Sequence, residues 1–394
     1  MPRVLRIINR FNLGGPTYNA AYLTRYMSPE FQTLLVGGMK DETEENSEFI
    51  VRNLGIVPVI IPEMRRSINP VQDAVALKRL ISIIGDFRPD IVHTHASKAG
   101  ALGRRAAHRM NVPVIIHTFH GHVFDAYFSG IKSHIYQHIE RVLAKKSTKI
   151  IALSEIQKFD LVHKYKICPE EKVRVIPLGF DLSRFRDSMD EKRIKFRKDH
   201  LLDDDEIAVG IIGRIVPIKN HTLFLEGIKY ITEQSGKKIR AFIVGDGEDK
   251  NKVREKCHAL GLSCVDFTAE KRKAAVTFTS WIKDVDCVNA GLDIVSLTSL
   301  NEGTPVSLIE AQASGKPIIT TNVGGIENIV IPGQTALLSD IGIADYRNKL
   351  MKLVLDETMR RNFGNAGWNF VNQKFSYLRL VNDMKKLYYE LLAM

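Results

Sequence analysis

The chain has 394 residues, 44% of them hydrophobic, and a formal charge of +11. That length exceeds one ordinary core and points to two domains, and the composition excludes a largely disordered protein. No apolar run approaches the roughly 20 residues that span a bilayer.

The elements alternate in a βαβ rhythm. "MPRVLRIINRF" has too short an apolar run for a secretory signal and predicts a first strand. "TLLVGG", "VPVIIP", "DIVHTH", "VPVIIHT", "KIIALS" and "KVRVIPLG" follow as strands, with amphipathic segments such as "VQDAVALKRLISIIGDF" between them. The rhythm loosens over a charge-rich stretch from Phe180 to Asp205, then restarts with "IAVGIIGR", "IRAFIVGDG", "AVTFTSW", "LDIVSLTS", "KPIITTNV" and "TALLSD". The chain ends in helices without strands, including "SYLRLVNDMKKLYYELLAM". The expected fold class is therefore α/β: two Rossmann-like parallel-sheet domains, residues 1–183 and 184–374, with their strand ends facing a cleft. The strandless tail, residues 375–394, must pack on its own domain or back on the first one.

Charge and cysteines narrow the setting. Met1 to Phe185 holds 26 lysines and arginines against 17 acidic residues, so the first half is basic and the second near neutral. Such a half suits phosphates, whether of nucleic acid, anionic lipid or a substrate, or is a merely solvated face. Cys168, Cys257, Cys264 and Cys287 show no CxxC pairing, which suggests a reduced, cytoplasmic compartment and no zinc site.

The richest stretch is "NEGTPVSLIEAQASGKP", Asn301 to Pro317. It joins an apolar strand to a short helix that Pro305 suits at its first turn and Gly315 ends. The amides of Gly303, Thr304, Val306 and Ser307 are then free for a phosphate. Glu302, in the loop, and Glu310, about two turns into the helix, can accept hydrogen bonds from two sets of hydroxyls. A phosphate cradle between two hydroxyl acceptors fits a nucleotide-sugar; the plainer alternative makes them a dipole-compensating residue and a solvated helix charge.

Four further motifs bear on chemistry. In "GIIGRIVPIKN", Arg214 and Lys219 follow a strand, where two cations can neutralise a diphosphate, or are ordinary surface charges. In "NRFNLGGPTYNAA", Gly14 and Gly15 let a ligand approach the backbone, although GxGxxG is absent. In "HTFHGH", His117, His120 and His122 offer a hydrogen-bonding imidazole or, with less support, metal ligands. In "VHTHASKAG", Ser97 and Lys98 open a helix where they can hold an acceptor phosphate, or Ser97 is an ordinary cap.

Together these residues resemble the retaining glycosyltransferases of family four, of GT-B architecture. The resemblance covers nearly the whole chain, and its most specific element is the E-x7-E motif in "EGTPVSLIE". The Arg214/Lys219 pair, the glycine loop, "HTFHGH" and "GGIENIV" stand in the family's order. The resemblance implies a metal-independent, hexosyltransferase-type enzyme without cofactor, whose substrate is a nucleoside-diphosphate sugar, a UDP-sugar above all. It puts Glu302 on the donor sugar, Glu310 on the ribose, Arg214 and Lys219 on the diphosphate, and His120 on the transferred sugar. Donor contacts extend over Gly15, Ile282, Gly303, Thr304, Pro305 and Val306; Gly14, Ser97 and Lys98 are the acceptor candidates. It also implies a final helix that crosses back onto the first domain. The family's Gly before the aromatic is Ser280 here, which blurs Trp281 and Ile282 as the base-binding edge. The basic cluster Lys271 to Lys273 in a long connection is a further departure.

The expected partners are a nucleotide-sugar, a sugar or lipid-linked acceptor, and an anionic membrane touched peripherally on its cytoplasmic face, with no nucleic acid. Arg65, Arg66, Arg104, Arg105, Arg109, Lys145 and Lys146 are candidates for that contact. Two other readings stay open on sequence: a nucleotide-sugar 2-epimerase, and a subunit that binds a nucleotide-sugar without turnover.

Overall fold

The computed structural model describes residues 1–11, 15–38, 48–65, 67–120 and 131–394; Gly14, Arg66 and His122 lie outside the described residues. The chain divides into two compact units, Met1–Phe180 with Phe375–Met394, and Asp181–Lys374. Each is built on a parallel sheet that is seven strands wide among the described residues.

The first sheet comprises β1 (Arg3–Arg10), β2 (Gln32–Gly38), β3 (Val59–Ile61), β4 (Ile91–His95), β5 (Val114–Thr118), β6 (Lys149–Ala152) and β7 (Val173–Val175), in the order β3-β2-β1-β4-β5-β6-β7. Side chains alternate across a sheet, so each strand feeds two cores. Val4, Ile91, Val114 and Ile116 face one side, where Leu23, Met27, Leu380, Met384, Leu387 and Leu391 cover them. Leu5, Ile7, Val92 and Ile115 face the other, under Ala76, Leu80, Ala99 and Ala106. The Pro70–Phe87 helix on that second side starts as its sequence suggests, with Asn69 Oδ1 accepting from the amides of Val71 and Gln72.

The final helix, Tyr377–Leu392, belongs to the first unit, as the tail's resemblance implies. Its buried positions Leu380, Val381, Met384, Leu387, Tyr388 and Leu391 recur at helical spacing and form one apolar stripe. Phe180 is the anchor: its amide donates to the Phe375 carbonyl at 2.8 Å, and its carbonyl accepts from Tyr377 at 3.0 Å. Gly179 permits this approach, because a Cβ there would stand 2.6 Å from the Leu380 Cβ. The Arg379 guanidinium closes the contact on the carbonyls of Pro177 and Leu178.

The second sheet comprises β8 (Glu206–Ile212), β9 (Lys238–Val244), β10 (Cys264–Asp266), β11 (Val276–Ser280), β12 (Ile294–Leu297), β13 (Ile318–Thr321) and β14 (Ala336–Ser339), in the order β10-β11-β9-β8-β12-β13-β14. One detail departs from the sequence reading. The short edge strand β10 lies inside the long connection, and its neighbouring cations are engaged: Arg272 with Glu270 and the Cys264 carbonyl, Lys273 with Asp203. The charge-rich stretch after Phe180 is an integral part of the second unit. Its helix Met189–Asp199 is tied down where Arg193 and Arg197 both meet Asp293.

Candidate functional site

In the second unit the strand order turns outward in both directions from the β8/β12 pair. Ligands of parallel α/β sheets bind beyond the carboxyl ends of strands at such a point, and the loops after β8 and β12 carry Arg214, Lys219 and Glu302. These loops are fastened to each other. The Leu300 amide donates to the Ile218 carbonyl at 2.8 Å, and the Thr298 hydroxyl to the carbonyls of Lys219 and Asn220 at 3.0 Å. Lys219 Nζ meets Glu302 Oε1 at 2.5 Å, and the Ser299 hydroxyl donates to the same oxygen. The structure thus joins the lysine of one motif to the first glutamate of another. Arg214 stays exposed, with no side-chain partner among the described residues.

The backbone around Glu302 is held by a glycine pair. Gly325 N donates to the Glu302 carbonyl at 2.9 Å. Gly324 has φ +55°, and a Cβ there would stand 2.0 Å from that carbonyl oxygen; one on Gly325 would stand 1.9 Å from the Gly303 oxygen. No side chain fits either position, which is the physical content of the "GG" in "GGIENIV". Gly303 itself faces open space.

The following helix runs from Val306 to Ala313, with Pro305 standing just before its first turn rather than in it. No side chain caps it, and the amides of Gly303, Thr304, Val306 and Ser307 find no acceptor among the described residues. Unpaired donors and the helix dipole make this an anion-attracting end. The helix stops as expected at Gly315, whose φ is +65°. Glu310, inside the helix, has no hydrogen-bond or ion-pair partner among the described residues. Burial raises its carboxyl to about 7 against the attraction of Arg184, with Asp286 adding repulsion. A carboxyl in that state is available to hydroxyl donors. Arg184 and Asp286, which pair with each other beside it, are residues the sequence reading missed.

The loop after β11 brings Trp281 and Ile282 to the same edge of the sheet. Trp281 is half-exposed and Ile282 partly buried. Ser280 occupies the position the family gives to glycine, at φ +57°, and its hydroxyl donates to Asp246 Oδ2 at 3.0 Å. That bond offsets the left-handed backbone, so Trp281 is presented despite the missing glycine.

In the first unit Gly15 opens the Gly15–Tyr26 helix after β1. Ser97 opens the Ser97–Arg109 helix after β4, with Ala96 at φ +64° and no side-chain cap. Lys98 is already engaged: its ammonium meets Asp73 Oδ1 and the Ser67 carbonyl, both at 2.5 Å. Of the cations proposed for an anionic surface, Arg104 is corrected. It is fully buried and paired with Glu140 at 2.6 Å, because its position on the helix faces the interior. Arg65, Arg105, Arg109 and Lys145 are exposed, and Lys146 partly so.

His120 follows β5. Its Nε2 lies 3.0 Å from His95 Nδ1, and its own Nδ1 is buried without a partner among the described residues. Desolvation lowers its imidazole to about 3, and His93, His95 and His117 are likewise held well below the usual range, first by burial. The cluster is therefore neutral near pH 7 and can act through hydrogen bonds. Among the described residues no group of three or more His, Cys, Asp or Glu is placed to hold a metal ion. His93 and His95 escaped the sequence reading; their signal was the alternation in "IVHTH", which puts both on one face.

The family model of "Glycosyl transferases group 1" matches residues 192–370, and that of "Glycosyltransferase Family 4" residues 13–184. The UDP-Gal:α-D-GlcNAc-diphosphoundecaprenol α-1,3-galactosyltransferase of Escherichia coli is 30% identical over 84% of this chain and 84% of its own length. The capsular polysaccharide biosynthesis glycosyltransferase CapM of Staphylococcus aureus is 26% identical over the same shares. Among solved structures, Anabaena HepE in complex with UDP superposes with a TM-score of 0.79 at 16% identity, over 98% of this chain and all of that one. Sucrose-phosphate synthase from Thermosynechococcus elongatus gives 0.77 at 17% identity, over the full length of both chains. Two parallel seven-stranded sheets with this connectivity are the GT-B architecture. The chain belongs to glycosyltransferase family 4, and it is a glycosyltransferase.

Proposed function

We propose that this enzyme transfers a sugar from a UDP-sugar to a hydroxyl of a lipid-linked or polysaccharide acceptor, with retention of anomeric configuration and without a metal ion. The observation that carries the reading is the set of unsatisfied groups at the β8/β12 edge: exposed Arg214, four open amides from Gly303 to Ser307, and the unpartnered carboxyl of Glu310. The E. coli relative named for UDP-galactose and a diphosphoundecaprenol acceptor supports the choice of donor and acceptor.

In this reading Glu310 accepts from the ribose hydroxyls and Glu302 from those of the sugar. As the glycosidic bond breaks, negative charge grows on the diphosphate. Arg214, Lys219 and the amides at the helix entrance stabilise it in place of a divalent ion. The sugar passes through an oxocarbenium-like state, the acceptor hydroxyl enters on the leaving-group face, and the departing phosphate takes its proton. His120 contacts the transferred sugar. The acceptor belongs to the first unit, whose exposed Arg105, Arg109 and Lys145 favour an anionic surface at the cytoplasmic face. Among the described residues no helix is long and apolar enough to cross a membrane, and the contact proposed is peripheral.

The test is a screen of UDP-galactose, UDP-glucose and UDP-N-acetylglucosamine by thermal shift and slow donor hydrolysis, each in excess EDTA. Binding and turnover of at least one is expected. Binding of none, or turnover that returns only with added magnesium or manganese, overturns the donor class or the metal-free mechanism respectively.

A further inference from the structure

A buried polar column runs beneath the final helix of the first unit. Arg6 on β1 is the register partner of His93 on β4, and His95, two residues on, shares that face. Both nitrogens of His93 are engaged: Nδ1 lies 2.6 Å from the Tyr388 hydroxyl and Nε2 2.7 Å from the Thr118 hydroxyl. Rotating that ring breaks both bonds. The His95 ring stacks on it, with centroids 4.3 Å and planes 29° apart. Arg6, fully buried and without a carboxylate partner among the described residues, touches Tyr388, Met27 and Thr24. Burial and then this charge keep His93 in its neutral form.

His95 is fully buried, and its one polar partner among the described residues is His120. Packing alone does not call for histidine there. Burying an imidazole with one nitrogen unpaired costs on the order of 1–3 kcal/mol, and a phenyl ring would stack on His93 without that cost. What the imidazole adds is the bond to His120.

We propose that His95 is a positioning residue for sugar transfer, holding His120 in one ring orientation and one neutral tautomer, while Tyr388 of the final helix holds His93 and thereby the stack behind it. The proposal rests on the assignment of His120 to the transferred sugar. Two neutral imidazoles joined from Nδ1 to Nε2 share one proton in that bond. With His95 as donor, His120 carries its own proton on Nδ1 and offers that N–H to a hydroxyl oxygen. The final helix then acts on the chemistry through Tyr388 without touching the substrate.

The test uses the full chain. Ring-nitrogen NMR on histidine-labelled protein reads the tautomer of His120, and hydrolysis of UDP-galactose or UDP-glucose reads the rate. Wild-type His120 is expected as a single neutral tautomer protonated at Nδ1. His95→Phe keeps the stack and loses the bond, so His120 becomes a mixture of tautomers. Its kcat falls about 10–100-fold, the scale of a misplaced contact, while the Kd for UDP is unchanged. His95→Asn, whose amide stands near the former Nδ1, restores most of the rate, and Tyr388→Phe gives an intermediate loss. A single His120 tautomer with a wild-type rate in His95→Phe overturns the proposal. So do equal losses in His95→Phe and His95→Asn with equal falls in Tm, which make His95 a core residue only. His120→Ala separates the two levels: if it keeps the wild-type rate, the assignment of His120 fails and the positioning role with it. If it is slow while His95→Phe is not, the positioning role fails alone.

Discussion

At the carboxyl edge of the second sheet Arg214, the amides from Gly303 to Ser307 and the Glu310 carboxyl stand exposed or unpartnered among the described residues, while in the first unit Arg104, Lys98 and His93 are paired. Arg214 is open to solvent, whereas Arg104 is enclosed with Glu140 and Lys98 is bound by Asp73. Glu310 is a half-buried carboxyl awaiting donors, whereas His93 has both nitrogens satisfied. One parallel-sheet topology thus supports two kinds of polar edge. The second is suited to an anion whose charge must be neutralised on arrival. The first is suited to neutral hydrogen bonding held in register from behind.

This contrast can be broken most sharply through the arginines. Glu140→Ala strands the buried Arg104 charge and is expected to cost about 3–5 kcal/mol of stability, read by denaturant unfolding. Arg214→Ala is expected to leave stability within about 0.5 kcal/mol and to lower kcat for donor hydrolysis about 100–1,000-fold. If Arg214→Ala destabilises as much as Glu140→Ala, the distinction between a functional and a structural arginine is wrong.

The two glutamates sharpen the account of the second unit. Glu310→Ala is expected to weaken UDP binding more than Glu302→Ala, because UDP carries the ribose and not the sugar. A lost charged hydrogen bond is worth roughly 1.5–3 kcal/mol, and calorimetry with UDP alone measures it. Equal losses contradict the division of roles.

A smaller effect concerns pH. The Glu310 carboxyl sits at about 7 in the fold against a reference of 4.5. Below the lower value it is protonated folded and unfolded, and its burial costs little. Between the two values the unfolded chain is ionised while the folded one still holds its proton, so stability falls across that window. The loss is complete once pH passes the higher value and the folded chain buries a charge. Glu310→Gln is therefore expected to gain about 1–2 kcal/mol over wild type at pH 8 and almost nothing at pH 4, by denaturant unfolding at each pH. A gain that is flat with pH points to packing instead.

The smallest effect tests the basic surface of the first unit. Arg105→Glu and Arg109→Glu together are expected to release the chain from anionic vesicles at low salt, each exposed cation contributing roughly 1 kcal/mol, whereas Arg104 contributes nothing. Co-sedimentation that is unchanged by the pair removes that surface from consideration.

Much of this molecule is written locally in its chain. The long strands are readable because buried parallel strands are runs of branched apolar residues bounded by turns, and "IVHTH" even carries the facing of its histidines in its period of two. The helix entrance at Pro305 and its stop at Gly315 are local backbone chemistry, as are the two glutamates set eight residues apart. Strand β10 was missed because its three residues lie in a charged connection without a longer apolar run, whereas the equally short β3 and β7 stand inside such runs. What the fold alone decided are pairings between distant positions. Lys219 and Glu302 are 83 residues apart, Arg104 and Glu140 are 36, and His93 and Tyr388 are 295. Nothing in the chain between such positions distinguishes an arginine that will be enclosed from one that will meet solvent. A hydrogen bond exists only within about 3 Å, and only the packed sheets and the returning final helix bring those atoms that close.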